Sequence, residues 1–166
     1  MTAMTGSSRK AVVTLPTDTQ IRITREFAAP RELVYRAWTT PDLIKRWWGG
    51  KRGVVTLAEV DLRVGGRWRY VTMTNRGFEI AFHGEFHEIV HNERLVYTEV
   101  FEGVPEGEEP PPLVTLTLTE SNGRTLLTSI TEVPSRAVRD TIIESGMEAG
   151  MQEVMDVLEE VAISLG

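Results

Sequence analysis

The sequence predicts an α+β domain: a curved antiparallel sheet of about seven strands wrapped around one long C-terminal helix, in the order β-α-α-β6-α. Three observations carry this. From Ile142 to Leu165 the apolar residues Ile143, Met147, Met151, Val154, Met155, Leu158, Val161, Ala162 and Leu165 follow helical spacing and share one stripe. At about 1.5 Å per residue such a helix is a rod of roughly 36 Å, so something wide has to cover it. Between residues 54 and 132 the period falls to two, interrupted mostly by short turns containing Gly or Asn, which makes neighbouring strands antiparallel. Finally, 166 residues with 41% hydrophobic content and no change of composition along the chain suit one core rather than two.

Residues 1–19, rich in Thr, Ser and Gly, read as a flexible N-terminal tail in which Ala11 to Leu15 can add a short extended piece; residues 20–166 read as the single domain. Gln20 to Phe27 alternates, with Ile21, Ile23 and Phe27 on one side, as in a half-buried strand. Pro30 opens a short helix carrying Leu33, Val34, Ala37 and Trp38. Thr40, Pro41 and Asp42 then start a second helix, whose apolar face is Leu43, Ile44, Trp47 and Trp48 and which Gly49-Gly50 stops. Six strands follow: Val54 to Val60, Trp68 to Thr74, Phe78 to Val90, Arg94 to Phe101, Leu113 to Thr119 and Arg124 to Glu132. Glu102 to Pro112, acidic and proline-rich, reads as an exposed loop, and Ser135 as the cap of a leading helical turn. Gly65, Gly66 and Gly84 are candidates for the kinks that let the sheet curve.

Composition excludes several function classes. A net charge of −6 argues against nucleic acid and against an anionic membrane surface, both of which need clustered Lys and Arg. With no cysteine there is no disulfide, thiol nucleophile or thiolate metal site. No leader-like or membrane-spanning apolar run is present, so the expected location is cytoplasmic.

The strings ITREFAAPRELVYRAWTTPDLIKRWWGG, DLRVGGRWRY, HGEFHEIVHNERLVYTEVFEG and LVTLTLTE, followed by the terminal helix, resemble the START-like (SRPBCC, helix-grip) superfamily. Within it they resemble the small bacterial proteins related to the C-terminal domain of the activator of heat-shock-protein ATPase. The resemblance spans about Gln20 to Leu165 and implies the helix-grip fold. It also implies a cavity between sheet and helix, or a cochaperone-like role in stress response. Relatives often carry Gly-Trp pairs in the terminal helix. Here the pairs are Gly146-Met147 and Gly150-Met151, and methionine implies a roomier, more adaptable wall.

The candidate lining of that cavity is Trp38, Trp48, Trp68, Tyr70, Phe82, Phe86, Tyr97, Glu99, Phe101, Met147, Met151 and Met155. Residue types alone also fit an ordinary solid core; the resemblance favours a pocket of a few hundred Å3 or more. Glu99, between Tyr97 and Phe101 on its strand face, is the polar group of most interest, because a carboxyl facing inward there is costly unless paired or protonated; an outward face at a sheet edge is the alternative. His83, His87 and His91 recur every four residues, but on a strand this separates them by roughly 13 Å, too far for one ion, and no metal or cofactor is expected. Lys45, Arg46, Lys51 and Arg52, and separately Arg63, Arg67 and Arg69, read as solvated or paired charges. Two adjacent tryptophans on a short helix are hard to bury together, which makes Trp47 the candidate partner-binding residue.

Three functions are open at this point: binding of a small hydrophobic or aromatic molecule in the cavity, a cochaperone-like module that meets a chaperone, and a cyclase, dehydratase or hydrolase working in the same cavity through Glu99, Tyr70 or His83. No assembled catalytic constellation is visible, and a monomer and a homodimer are equally compatible with the sequence.

Overall fold

The computed structural model describes residues 10–103, 107 and 109–166, and has the expected mixed architecture. The elements in order are strands β1 (Val12–Thr14) and β2 (Gln20–Phe27) and helices α1 (Arg31–Thr39) and α2 (Pro41–Trp47). Then come strands β3 (Gly53–Val60), β4 (Arg67–Thr74), β5 (Glu79–Val90), β6 (Arg94–Thr98), β7 (Val100–Phe101), β8 (Leu113–Ser121) and β9 (Arg124–Glu132). Helices α3 (Arg136–Glu144) and α4 (Met147–Ser164) close the chain. The strands form one antiparallel sheet in the order β1-β2-β9-β8-β6-β5-β4-β3, with β7 paired to β5, so β1 and β3 are its open edges. Among the described residues no helix is long and apolar enough to cross a membrane.

Nine strands replace the expected seven. Ala11 to Leu15 supplies β1, and the single strand expected from Arg94 to Phe101 divides at Glu99 into β6 and β7. The first difference has a clear cause. The Gln152 side chain on α4 both accepts from Ala11 N (3.0 Å) and donates to Ala11 O (2.7 Å), and Ala11 is buried with Ile21 and Ile23. The tail expected over 1–19 is therefore pinned from residue 11 onward; residues 1–9 lie outside those described. In the acidic loop, residues 104–106 and 108 also lie outside them, and Glu102, Gly103, Gly107 and residues 109–111 are exposed.

The long terminal helix is also corrected: it is two helices. Gly146 has φ +83°, a left-handed conformation that costs glycine little and any other residue more. Ser145 N bonds to Thr141 O and Gly146 N to Ile143 O, which ends α3, and α4 restarts at Met147. Helix α4 alone crosses the concave face. Met155, Leu158, Val161 and Ala162 bury there with Phe27, Leu95, Leu116, Leu118 and Leu127 of the sheet and with Val34, Ala37, Ile44 and Trp47 of α1 and α2.

Two features hold the curvature and the helix in place. Register shifts occur between Val55 and Leu57 on β3 and between Phe86 and Glu88 on β5. Gly84, opposite Trp68, has no room for a side chain: a Cβ would collide with the Thr98 carbonyl and lie 2.5 Å from Trp68 Nε1. At the other end of the concavity, the buried Arg25 of β2 pairs with Asp156 (2.8 Å) and Glu159 (3.2 Å) of α4, and Glu159 also accepts from Ala28 N (2.9 Å). These bonds tie helix to sheet through charge rather than through shape alone.

Candidate functional site

Period two on β4 and β6 builds the site. It puts Trp68 and Tyr70 of β4, and Leu95 and Tyr97 of β6, on the concave face, with Phe86 of β5 beside them. Helix α1 ends by presenting Trp38 and Thr39, and the residue that follows α2 is Trp48. Glu99, between β6 and β7, completes a lining of Trp38, Thr39, Trp48, Trp68, Tyr70, Phe86, Leu95, Tyr97 and Glu99. The rings pack mostly edge to face: Trp48 on Tyr70 at 4.9 Å and 67°, Trp68 on Tyr97 at 5.8 Å and 89°, Phe86 on Tyr97 at 6.2 Å and 68°. The free space they leave is about 10 Å3. That is room for one water-sized group, where a pocket of a few hundred Å3 was expected. The reason is that Trp48 and Trp38 fill the concavity beside the helix.

Within this apolar wall four polar groups stand out. Burial pushes the Glu99 carboxyl up to about 7, and among the described residues no donor or cation offsets that burial. The Tyr70 and Tyr97 phenols are also raised, first by burial and then by the Glu99 charge; a hydrogen bond from Trp38 pulls Tyr97 the other way. Trp68 Nε1 is buried without a hydrogen-bond partner, alone in this among the described residues. Unmet groups of this kind cost stability, so their concentration in one place is informative.

Seven of the residues named from sequence meet here: Trp38, Trp48, Trp68, Tyr70, Phe86, Tyr97 and Glu99. Five lie elsewhere. Phe82 sits at the rim with its ring edge-on to Trp48 at 6.0 Å, and Phe101 covers Phe82 at 5.3 Å while remaining 40% exposed. Met155 is core, Met151 packs against both that core and the Ile21–Ile23 cluster, and Met147 packs toward Ile21 and Ile23 at the β1–β2 end. No residue of α4 lines this space, although the helix shares one core with the rings that do.

Trp47 is corrected as well. It is 1% exposed, its Nε1 donates to Ala37 O at 2.9 Å, and its ring lies between Trp38 and Trp48. Helical geometry turns neighbouring side chains about 100° apart, which here buries the first tryptophan between α1 and α2 and sends the second to the cavity. Leu95 and Thr39 were not picked out from sequence; Leu95 shares a strand face with Tyr97 and period two identifies it. The histidines separate: His83 Nδ1 meets Glu102 at 2.8 Å, and His91 packs edge-on to Tyr35. Arg69 also grips Glu102 with two bonds of 2.9 Å, holding that carboxyl down at about 2.

With fold and site described, the likeness to known proteins is specific. The family model of Activator of Hsp90 ATPase homolog 1-like protein matches residues 28–162. The chain belongs to that family. A solved protein of Rhodobacter sphaeroides is 24% identical with a TM-score of 0.84, covering 95% of this chain and all of that one. A protein of Nitrosomonas europaea is 26% identical with a TM-score of 0.80, covering 90% of this chain and 97% of that one. The AHSA1-like protein of Aeromonas hydrophila is 23% identical with a TM-score of 0.64, covering 87% and 94%. No curated protein matches. The family's START-like architecture is one that carries ligand-binding and cochaperone-like roles.

Proposed function

We propose that this family member binds a small molecule with an apolar body at the aromatic end of its concave sheet. The observation that carries the reading is the half-buried, desolvated Glu99 carboxyl beside Trp68 Nε1, a buried donor without a partner, inside walls made mostly of rings. A fold that needed only a core would be more stable with apolar groups at these positions. The space of about 10 Å3 holds a ligand's polar tip, and the body requires Trp48 to swing outward. Trp48 is suited to this, since it sits on the short segment between α2 and β3, whose hold on α4 is the half-exposed Arg52–Glu153 pair (2.9 Å).

Mass spectrometry of gently extracted protein under native conditions, together with a thermal-shift screen of small aromatic and aliphatic compounds, tests the reading. A retained mass of a few hundred daltons, or a rise in Tm that Trp48→Ala alters, supports it. Protein with no retained mass and no shift with any compound refutes it.

One observation favours a second reading, a protein-interaction role. Val54 (67%) and Met73 (37%) are exposed cross-strand neighbours at the open β3 edge, and Phe78 (53%) is exposed in the adjoining β4–β5 turn. Such an edge offers both apolar contact and free backbone groups to a partner. The family's name directs the test to the Hsp90 ATPase: the double variant V54K/F78K should lose binding that the parent shows, and a parent that leaves the ATPase rate unchanged and is not captured by Hsp90 removes this reading.

A further inference from the structure

We infer that the ligand of the aromatic site is an organic cation, a primary ammonium on an apolar body, with its head against the Glu99 carboxyl and its body along Trp48, Phe82 and Phe101. The inference rests on the binding role proposed above and adds the chemical class.

Charge balance is the first argument. Arg25, buried at the other end of the concavity, has two carboxylates within 3.2 Å, whereas the half-buried Glu99 lies among aromatic rings and, among the described residues, has no ion-pair partner. The nearest arginines on β4, Arg67 and Arg69, alternate to the opposite face of the sheet, and Arg69 is already committed to Glu102. A neutral ligand would leave the ionised form of the carboxyl uncompensated, and an anion would be repelled by it. A cation gains from the carboxylate and also from the aromatic lining of Trp48, Trp68, Tyr70 and Tyr97, since aromatic rings attract positive charge. A hard metal ion is a poor fit, because it needs several oxygen ligands and the wall supplies one carboxylate and two phenols.

Size is the second argument. About 10 Å3 is the room of one water, which suits a compact –NH3+ head better than a trimethylammonium one. The rim supplies the third. Phe82 pairs with Tyr70 across the strands and with Phe101 across β5 and β7, so an aromatic ledge leads from the cavity to the 40% exposed Phe101. No core function accounts for an exposed phenylalanine stacked there, and an apolar ligand body would cover it.

The test compares 3-phenylpropylamine, charged at neutral pH, with 3-phenylpropan-1-ol, which has the same skeleton and no charge. Calorimetric titration at pH 7 in buffers of different ionisation enthalpy reads affinity and proton release together. The amine should bind the parent at least about 10-fold more tightly than the alcohol, a margin that one compensated buried charge readily supplies. It should release a fraction of a proton, since the raised Glu99 carboxyl is partly protonated at that pH. In Glu99→Gln the ratio of amine to alcohol affinity should fall to within about 3-fold. Equal binding of both compounds to the parent, or an amine preference that survives Glu99→Gln, overturns the cation inference and leaves the binding role standing. If neither compound binds, and the wider screen also finds nothing, both readings fall. The parent's amine-to-alcohol ratio and proton release need no variant, so a poorly folded Glu99→Gln does not block the test.

Discussion

The two ends of the concave sheet are built from the same alternating strands and treat buried charge in opposite ways. At the β2–α4 end, Arg25 is 1% exposed, yet its guanidinium meets Asp156, Glu159 and the Glu26 carbonyl and lies over the Phe27 ring at 5.2 Å. At the β4–β6 end, Glu99 has only rings and raised phenols around it. A fully satisfied buried network fixes how helix and sheet meet. An unsatisfied one stores a cost that only something from outside the chain can relieve. The difference separates the part of the interior that holds the fold from the part that is free to do something else.

The largest expected effect comes from breaking the satisfied end. Glu159→Ala leaves Arg25 buried with only the half-exposed Asp156 and leaves Ala28 N without an acceptor. Removal of one partner from a buried ion pair typically costs about 3–5 kcal/mol, so the midpoint of urea unfolding should fall sharply. A loss below about 1 kcal/mol would mean that the network is dispensable and that the two ends do not differ as described.

Much of this contrast was legible in the sequence. Period two alone puts Trp68 with Tyr70, and Tyr97 with Glu99, which is most of the site. The same period puts Arg25 on the Ile21, Ile23 and Phe27 face, a charge in an apolar row that calls for carboxylates, and Asp156 and Glu159 stand three apart on the helix to provide them. Other features were not readable. Gly146 and Gly150 look alike in the sequence, and only the first breaks the helix; the choice depends on a left-handed φ set by how α3 and α4 each pack. The methionines of α4 follow the aromatic residues in helical and strand pattern equally well, and their placement toward Ile21 and Ile23 depends on how the helix is rotated. Cavity volume depends on how deep Trp38 and Trp48 reach, a property of packing that no local pattern encodes.

The unsatisfied end gives a middle-sized effect with opposite sign. The Glu99 carboxyl is raised from 4.5 to about 7 in the folded chain, so between those values the folded state binds more protons than the unfolded one. Stability is therefore highest below pH 4.5 as far as this group is concerned, falls as pH rises through about 7, and is flat above it. Glu99→Gln should remove that loss and gain on the order of 2 kcal/mol over the parent at pH 8, with little gain at pH 4.5. Chemical denaturation at the two pH values checks it. A gain that is the same at both would show that the carboxyl is not desolvated in the way the site requires.

The smallest effect belongs to the outer face, where the Glu102 carboxyl is held by Arg69 and His83 yet stands open to water. Its value of about 2 comes first from the Arg69 hydrogen bonds. A carboxyl lowered in the folded chain stabilises above its ordinary value near 4.5 and loses that contribution as pH falls toward 2. Solvent screens such pairs, so Glu102→Gln should cost under about 1 kcal/mol at pH 7, shrinking further at high salt and disappearing at pH 2. If Glu102→Gln instead costs as much as Glu159→Ala, the outer cluster is a structural clasp for β7 on β5, and burial ceases to be what distinguishes the charges that hold this fold from those that do not.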